Sequence, residues 1–357
     1  MSTPQMKRQT QGLALAAALM LSPLSMAAPG VGSPLVLPPA EQAALGRQIG
    51  LRLNQDYHDL TRVPAALAAL KPQAGALPGP VLAEAWTRLL QDQLNDAHAR
   101  LVYSPEALPL DADAAEEGPS GPPPEVMRHL NCGVERVEHY PGNIGYLRVD
   151  AMAPPEACAP TMAAALQVLA QSDALILDLR RNRGGSPDMV QWLASHLLPP
   201  QTALSSMVRA RDASSEALKT QAGLPGPDLS RVPLYLLTSS KTFSAGEHLA
   251  YDLQQAGRAT VVGEPSGGGA NPGAFRTVHP HFRLWVSLAR SVSPVTGGNW
   301  EGHGVQPDQR AKAPEARRVA YGRALKDLVQ AKAATAMPGE REALLAELDE
   351  VAKRLGL

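Results

Sequence analysis

The segment Ser239–Glu247, "SSKTFSAGE", follows the apolar run "VPLYLLT" and precedes the helical pattern "HLAYDLQQAG". A serine at such a strand-to-helix turn is exposed at the strand's end. The helix N-terminus beyond it offers free N–H groups and a positive dipole end. Both stabilise negative charge on an attacked carbonyl oxygen. A serine nucleophile also needs a base, and the base an orienting acid. Ser244 occupies the right place in the turn. Ser244 and Glu247 equally fit a capping box, in which hydroxyl and carboxylate satisfy orphan backbone donors. The local sequence therefore allows a nucleophile or a simple helix start.

Two further segments bear on the choice. "ALILDLRRNRGGSPDMVQWL" reads as strand, polar turn and helix, with Asn182, Gly184 and Gly185 in the turn. A glycine pair before a helix lets the backbone approach closely and present N–H donors to an oxyanion; it also makes a plain tight turn. "GGNWEGHGVQPD" sets Glu301 and His303 among glycines, with Asp308 closing the segment. The only bases adjacent to the turn are Lys241 and His248, the latter one helical turn after Ser244. An imidazole titrates near working pH, which suits a general base. His248 also fits a helix-surface histidine. His279 and His281 alternate with proline in "TVHPHF" and read as strand-edge residues. Lys241 precedes Ser244 by three, but an unburied lysine stays protonated and makes a poor base.

The elements that must hold these residues are α/β in character. "GVERVEHY", "IGYLRVD", "ALILDLR", "PLYLLT", "ATVVGE" and "FRLWVSLA" are strand-like, and helical patterns lie between several of them. "ALILDL" and "PLYLL" are continuously apolar, as central parallel strands are. Residues 41–104 show apolar spacings of three and four and read as a helical domain running through "GPVLAEAWTRLLQDQLNDAHARLVYS". A Pro/Gly/acid-rich linker spans 105–127, the α/β core 128–312, and two C-terminal helices split by Pro338 occupy 313–357.

The N-terminus has the order of a secretory leader. Lys7 and Arg8 precede "GLALAAALMLSPL", and small residues at Ser25 and Ala27 mark a cleavage site, so 1–27 is expected to be a signal peptide and 28–40 a linker. An uncleaved anchor is the alternative. Cleavage removes two cations from a net charge of −1, leaving −1 − 2 = −3. That balance gives no polyanion-binding signature, so no nucleic-acid partner is expected. No later run approaches membrane length, and export to the periplasm or outside the cell is the expected destination. In an exported chain the pair Cys132 and Cys158 invites a disulfide, with two buried free thiols as the alternative. No zinc-type ligand spacing or phosphate loop occurs, and no cofactor is expected.

Taken together, "ILDLRRNRGG", "SSKTFSAGEHLAYDLQ", "ATVVGEPSGGG" and "NWEGHGVQPD" resemble, in order and spacing, the carboxyl-terminal processing (tail-specific) serine peptidases. The similarity is to the branch with the interphotoreceptor retinoid-binding protein repeats and the tricorn protease core. It spans Asn131 to Asp308 strongly and the helical region weakly. The resemblance implies a core that is a spiral of ββα units like the Clp protease and crotonase folds. It implies Ser244 as nucleophile, Glu301 as acid, and oxyanion donors from Gly184 or Gly185 and from the Ala245 N–H. It further implies a peptide or protein substrate cleaved through an acyl-enzyme. Many relatives carry a lysine base shortly after the serine, but "GEPSGGGANPG" has none. The tricorn-like branch takes a histidine from the end of the helical domain, which corresponds to His98. No PDZ insertion fits between His98 and "IGYLRVD", which weakens any expectation of selectivity for free carboxyl termini. The retinoid-binding branch supplies a second expectation, a noncatalytic carrier of a lipophile.

Overall fold

The computed structural model describes residues 34–109, 124–209, 214–335 and 338–355. The expected leader, the start of the 28–40 linker and most of the 105–127 linker lie outside them. The chain is mixed α/β. Two short paired strands, β1 (Val36–Leu37) and β2 (Leu77–Pro78), lie among the helices α1 (Pro39–Asp56), α2 (Val63–Ala69) and α3 (Gly79–Leu94). β3 (Arg100–Tyr103), α4 (Pro124–His129), β4 (Val134–Tyr140), β5 (Ile144–Val149), α5 (Pro155–Val168), β6 (Ala174–Asp178) and α6 (Pro187–Leu197) follow. Next come β7 (Ser206–Arg209), β8 (Ser215–Glu216), β9 (Leu234–Thr238), α7 (Ala245–Gln255) and β10 (Ala259–Gly263). β11 (Gly273–His279), β12 (Phe282–Ser287), β13 (Ala289–Val292), β14 (Gln309–Arg310), α8 (Ala316–Thr335) and α9 (Pro338–Leu355) complete the order.

The central sheet runs β14-β10-β9-β6-β5-β4, parallel throughout except for the β4–β5 hairpin. Every residue of β6 and β9 is buried, which explains their unbroken apolar sequence: helices cover both faces. One core lies under α5, α6 and α7, and a second under α8. Because β6 and β9 pair directly, the turns after them emerge side by side. The "NRGG" and "TFSAGE" segments are thereby brought together.

The helical region differs from its expected form in one respect. The expected helical domain, 41–104, ends in a strand rather than a helix, with His98 at a helix-to-strand junction. Asn95, in the left-handed conformation at φ 49°, ends α3, and "RLVY" then forms β3. β3 pairs with β12, with Leu101 opposite Leu284. Val278, Phe282, Leu284 and Val286 of the β11–β12 hairpin complete the core of Leu45, Ile49, Leu53, Trp86 and Leu90. The helices have too little apolar face to close among themselves, so a hairpin from the α/β region covers them. His98 sits in the short turn between α3 and β3.

Candidate active site

Ser244 stands at the N-cap of α7 with φ 53° and ψ −121°. A non-glycine residue there is strained by roughly 1–3 kcal/mol and persists only where its surroundings impose it. The turn is fastened on both sides. Thr242 Oγ1 donates to Leu179 O at 2.8 Å, Ser239 Oγ to Arg180 O at 2.6 Å, and Phe243 N–H to Asn182 O at 2.9 Å. The Ser244 N–H donates to Glu247 Oε2 at 2.8 Å, the Glu247 half of the capping box. The Ser244 hydroxyl lies opposite the Glu247 N–H, as a capping box requires, but makes no capping hydrogen bond of normal geometry, and Ser244 lines the cleft.

Buried Glu247 also accepts from Ser266 Oγ (2.5 Å), Gly268 N–H (2.6 Å) and Gly269 N–H (2.8 Å). Burial raises its pKa, and these bonds oppose the rise. Glu247 thus clips the "SGGG" loop beneath the serine turn. A Cβ on Gly269 would lie 2.7 Å from His98 Cε1 and 2.3 Å from Phe243 Cζ. The loop without a lysine is also the loop that makes room for the imidazole. Gly269→Ala is expected to displace the His98 ring and slow turnover by on the order of 10–100-fold. Steady-state rates beside an unchanged far-UV circular dichroism spectrum would check this.

The Asn182 turn carries both glycines expected to offer donors, and the structure separates the two. Gly184, at φ +100°, gives its N–H to Asn182 Oδ1 at 2.9 Å, so it is not available to an oxyanion. Its bare α-carbon lets Ser244 approach: a Cβ would fall 2.8 Å from Ser244 Cβ. Gly185, exposed and at φ +137°, has no acceptor for its N–H among the described residues, nor has Ala245 at the first turn of α7. Of the expected donors, Gly185 and Ala245 remain and Gly184 does not. Asn182 is fully buried, and its Nδ2 also donates to Val149 O at 3.0 Å, so it ties β5, the glycine turn and the serine turn together.

His98 is buried, with its ring against Phe243 and Trp285 at centroid distances of 4.6 and 5.7 Å. Burial, aided by the Arg100 charge and opposed by Asp96, pushes its pKa down to about 4. One polar atom each of Asp96, His98 and Glu301 lie within 4.8 Å of one another. Buried Asp96 accepts from Tyr57 Oη at 3.1 Å and from the His98 N–H at 2.9 Å. Glu301 accepts from the backbone of Ala97 (2.9 Å), Ala270 (2.6 Å) and Asn271 (3.2 Å). Burial and then the Asp96 charge push Glu301 up to about 7, against those three bonds. The imidazole Nδ1 is buried without a hydrogen-bond partner, so either carboxylate must close in to orient it. The three groups could ligate a cation, but the carboxylates already accept five protein hydrogen bonds, which suits a hydrogen-bonded relay better.

Ser244, His98, Gly185, Ala245, Gly269 and His248 line one cleft of about 50 Å³. The other candidates fall into place around it. His248 is buried rather than on the helix surface: its ring stacks on Trp300 at 5.6 Å, and Nε2 lies 3.1 Å from an Asp252 carboxylate oxygen without hydrogen-bond geometry. Lys241 is exposed and lines a separate cavity with Arg148 and Arg180. His281 bonds Ser104 O at 2.9 Å at the far end of the hairpin, next to His279. His303 is exposed, and Asp308 accepts from the Val261 N–H of β10 at 2.7 Å. Asp96 escaped the sequence reading because "NDAH" looks like an ordinary polar helix end. Its only signal was an acid two residues before the histidine. Cys132 and Cys158 form a disulfide with Cα atoms 5.4 Å apart.

Comparison with known proteins agrees with this architecture. Residues 143–311 match Peptidase family S41. A solved structure from Parabacteroides merdae, described as a candidate peptidase, is similar over 84% of this chain and 99% of its own, at 16% identity and a TM-score of 0.58. A lipoprotein from Streptococcus agalactiae is similar over 80% of this chain and 97% of its own, at 15% identity and a TM-score of 0.50. A candidate S41 protease from Bacteroides fragilis, at 23% identity and a TM-score of 0.45, matches 50% of this chain, which spans about half (51%) of that one. At these identities the likenesses concern the fold. Residues 143–311 of the chain thus form a Peptidase S41 family domain.

Proposed function

We propose that this chain hydrolyses peptide bonds through an acyl-enzyme on Ser244, with His98 as base. The observation that carries this reading is the shared cleft: Ser244, His98, Gly185 and Ala245 line it together, and the Gly185 and Ala245 N–H groups have no acceptor among the described residues. Ser244 Oγ attacks the carbonyl carbon as its proton passes to His98. The carbonyl oxygen, now negative, takes hydrogen bonds from Gly185 and Ala245. The imidazolium returns its proton to the leaving amine as the C–N bond breaks. Water, deprotonated by His98, then attacks the acyl carbon; the C–Oγ bond breaks and the imidazolium returns the proton to Ser244 Oγ. Glu301 or Asp96, each with a carboxylate oxygen within 4.8 Å of an imidazole nitrogen, closes on the ring and stabilises its positive charge.

A fluorophosphonate probe tests this reading. It should form one adduct, mapped by mass spectrometry to the peptide containing Ser244. An adduct elsewhere, or none, would remove Ser244 from the role. The alternative, a noncatalytic carrier of a lipophile, predicts no covalent adduct with the probe. Export is also part of the proposal, supported by the leader pattern and by the disulfide. N-terminal sequencing of protein from the exported fraction should begin at Ala28; an intact Met1 would refute it.

A further inference from the structure

The disulfide lies outside the cleft, but a short run of backbone contacts joins it to the glycine turn. Asn131, Cys132 and Gly133 are consecutive left-handed residues, with φ of 45°, 55° and 78°. Such a run, two-thirds of it non-glycine, forms only where something holds it. The Cys132–Cys158 bond does so, fixing the turn to the first helical turn of α5, where Cys158 N–H bonds Pro154 O at 3.1 Å. Both sulfur-bearing residues are buried.

The segment between β5 and α5 is pressed against this turn. Asp150 N–H donates to Gly133 O at 2.8 Å, and a Cβ on Gly133 would lie 2.3 Å from Ala151 O. Met152, next along, carries the glycine turn. Its N–H donates to Gly184 O at 2.9 Å, and its carbonyl accepts from Ser186 N–H at 2.7 Å. A Cβ on Gly185 would lie 2.1 Å from that same carbonyl oxygen. Gly185 is therefore gripped on both sides by Met152. Met152 in turn is held between the left-handed turn and the start of α5, the two places that the disulfide joins.

We infer that the Cys132–Cys158 disulfide is a positioning element for acyl transfer: through residues 150–152 it fixes the direction of the Gly185 N–H. This rests on the proposed role of that N–H as an oxyanion donor. A donor works only when it is aimed at the oxygen's position in the transition state. Loosening the buttress should therefore slow acylation more than it weakens binding of the acylating reagent.

The test is the fluorophosphonate reaction, read as fraction of chains labelled, maximal labelling rate and half-saturating probe concentration. Cys132→Ala/Cys158→Ala should keep the labelled fraction and the half-saturating concentration, while the maximal rate falls about 10–100-fold. Gly133→Ala keeps both cysteines but pushes on the Ala151 carbonyl; it should slow labelling in the same way, and it decides the matter if the double variant does not fold. Unchanged rates in the folded variants would overturn the inference. So would a fall in labelled fraction with a normal rate among the remaining chains, which is the sign of a merely stabilising crosslink. No labelling of the wild type would instead sink the Ser244 reading itself, and the inference with it.

Discussion

Ser244→Ala should lower peptide hydrolysis by on the order of 10⁴-fold or more while leaving the fold in place. Both halves of that expectation come from the same geometry. The hydroxyl makes no capping bond of normal geometry, so its loss removes little from α7, under about 1 kcal/mol. The Glu247 carboxylate continues to take the residue-244 N–H and the loop N–H groups of Gly268 and Gly269, so the turn stays fastened. A purely structural capping role predicts the reverse: a lower melting temperature with activity retained in the folded fraction. Measuring turnover and thermal unfolding on the same preparation separates the two. Retained activity would leave the capping box as the whole explanation for Ser244.

How far the sequence anticipated this site depends on the range of the contacts involved. Apolar runs such as "ALILDL" and "PLYLL" announced buried parallel strands, because burial on both faces writes itself into every position. The serine turn and the glycine turn were legible as motifs, each being local. Their meeting followed from β6 and β9 being neighbours, which no local pattern states. The pairing of β3 with β12 is equally non-local: a strand after His98 can be read from the sequence, but its partner cannot. Gly184 and Gly185 looked interchangeable until Asn182 was seen to claim the Gly184 N–H. Asp96 was invisible for a similar reason. Its neighbours Tyr57 and Glu301 come from positions 39 residues before and 205 after it, and only the fold places them together.

The second large effect concerns the base. His98→Ala should be inactive at every pH, whereas His248→Ala should keep the wild-type profile at a modestly reduced rate. The profile itself should not break near 6.5. His98, held at about 4 by its burial, is still neutral as pH falls through about 6.5, where an exposed histidine takes up its proton. Glu301 is the group that changes charge near neutrality, since burial and Asp96 hold it at about 7. Above that pH its carboxylate is ionised and stabilises the imidazolium formed as Ser244 attacks. Below it, the protonated acid does so less, and the rate falls as pH drops through about 7. A second fall, complete inactivation, follows as His98 itself protonates near 4. Glu301→Gln should abolish the step near 7 and leave a flat, lower plateau, with only the lower limb remaining. Asp96→Asn should move the upper step toward lower pH, because the like charge that raises Glu301 is gone. A single step at 6.5 in the wild type would contradict the burial of the base. If His98→Ala retains the profile and His248→Ala loses it, the His248–Asp252 pair on α7 is the base system. His98 would then serve only to wall the cleft.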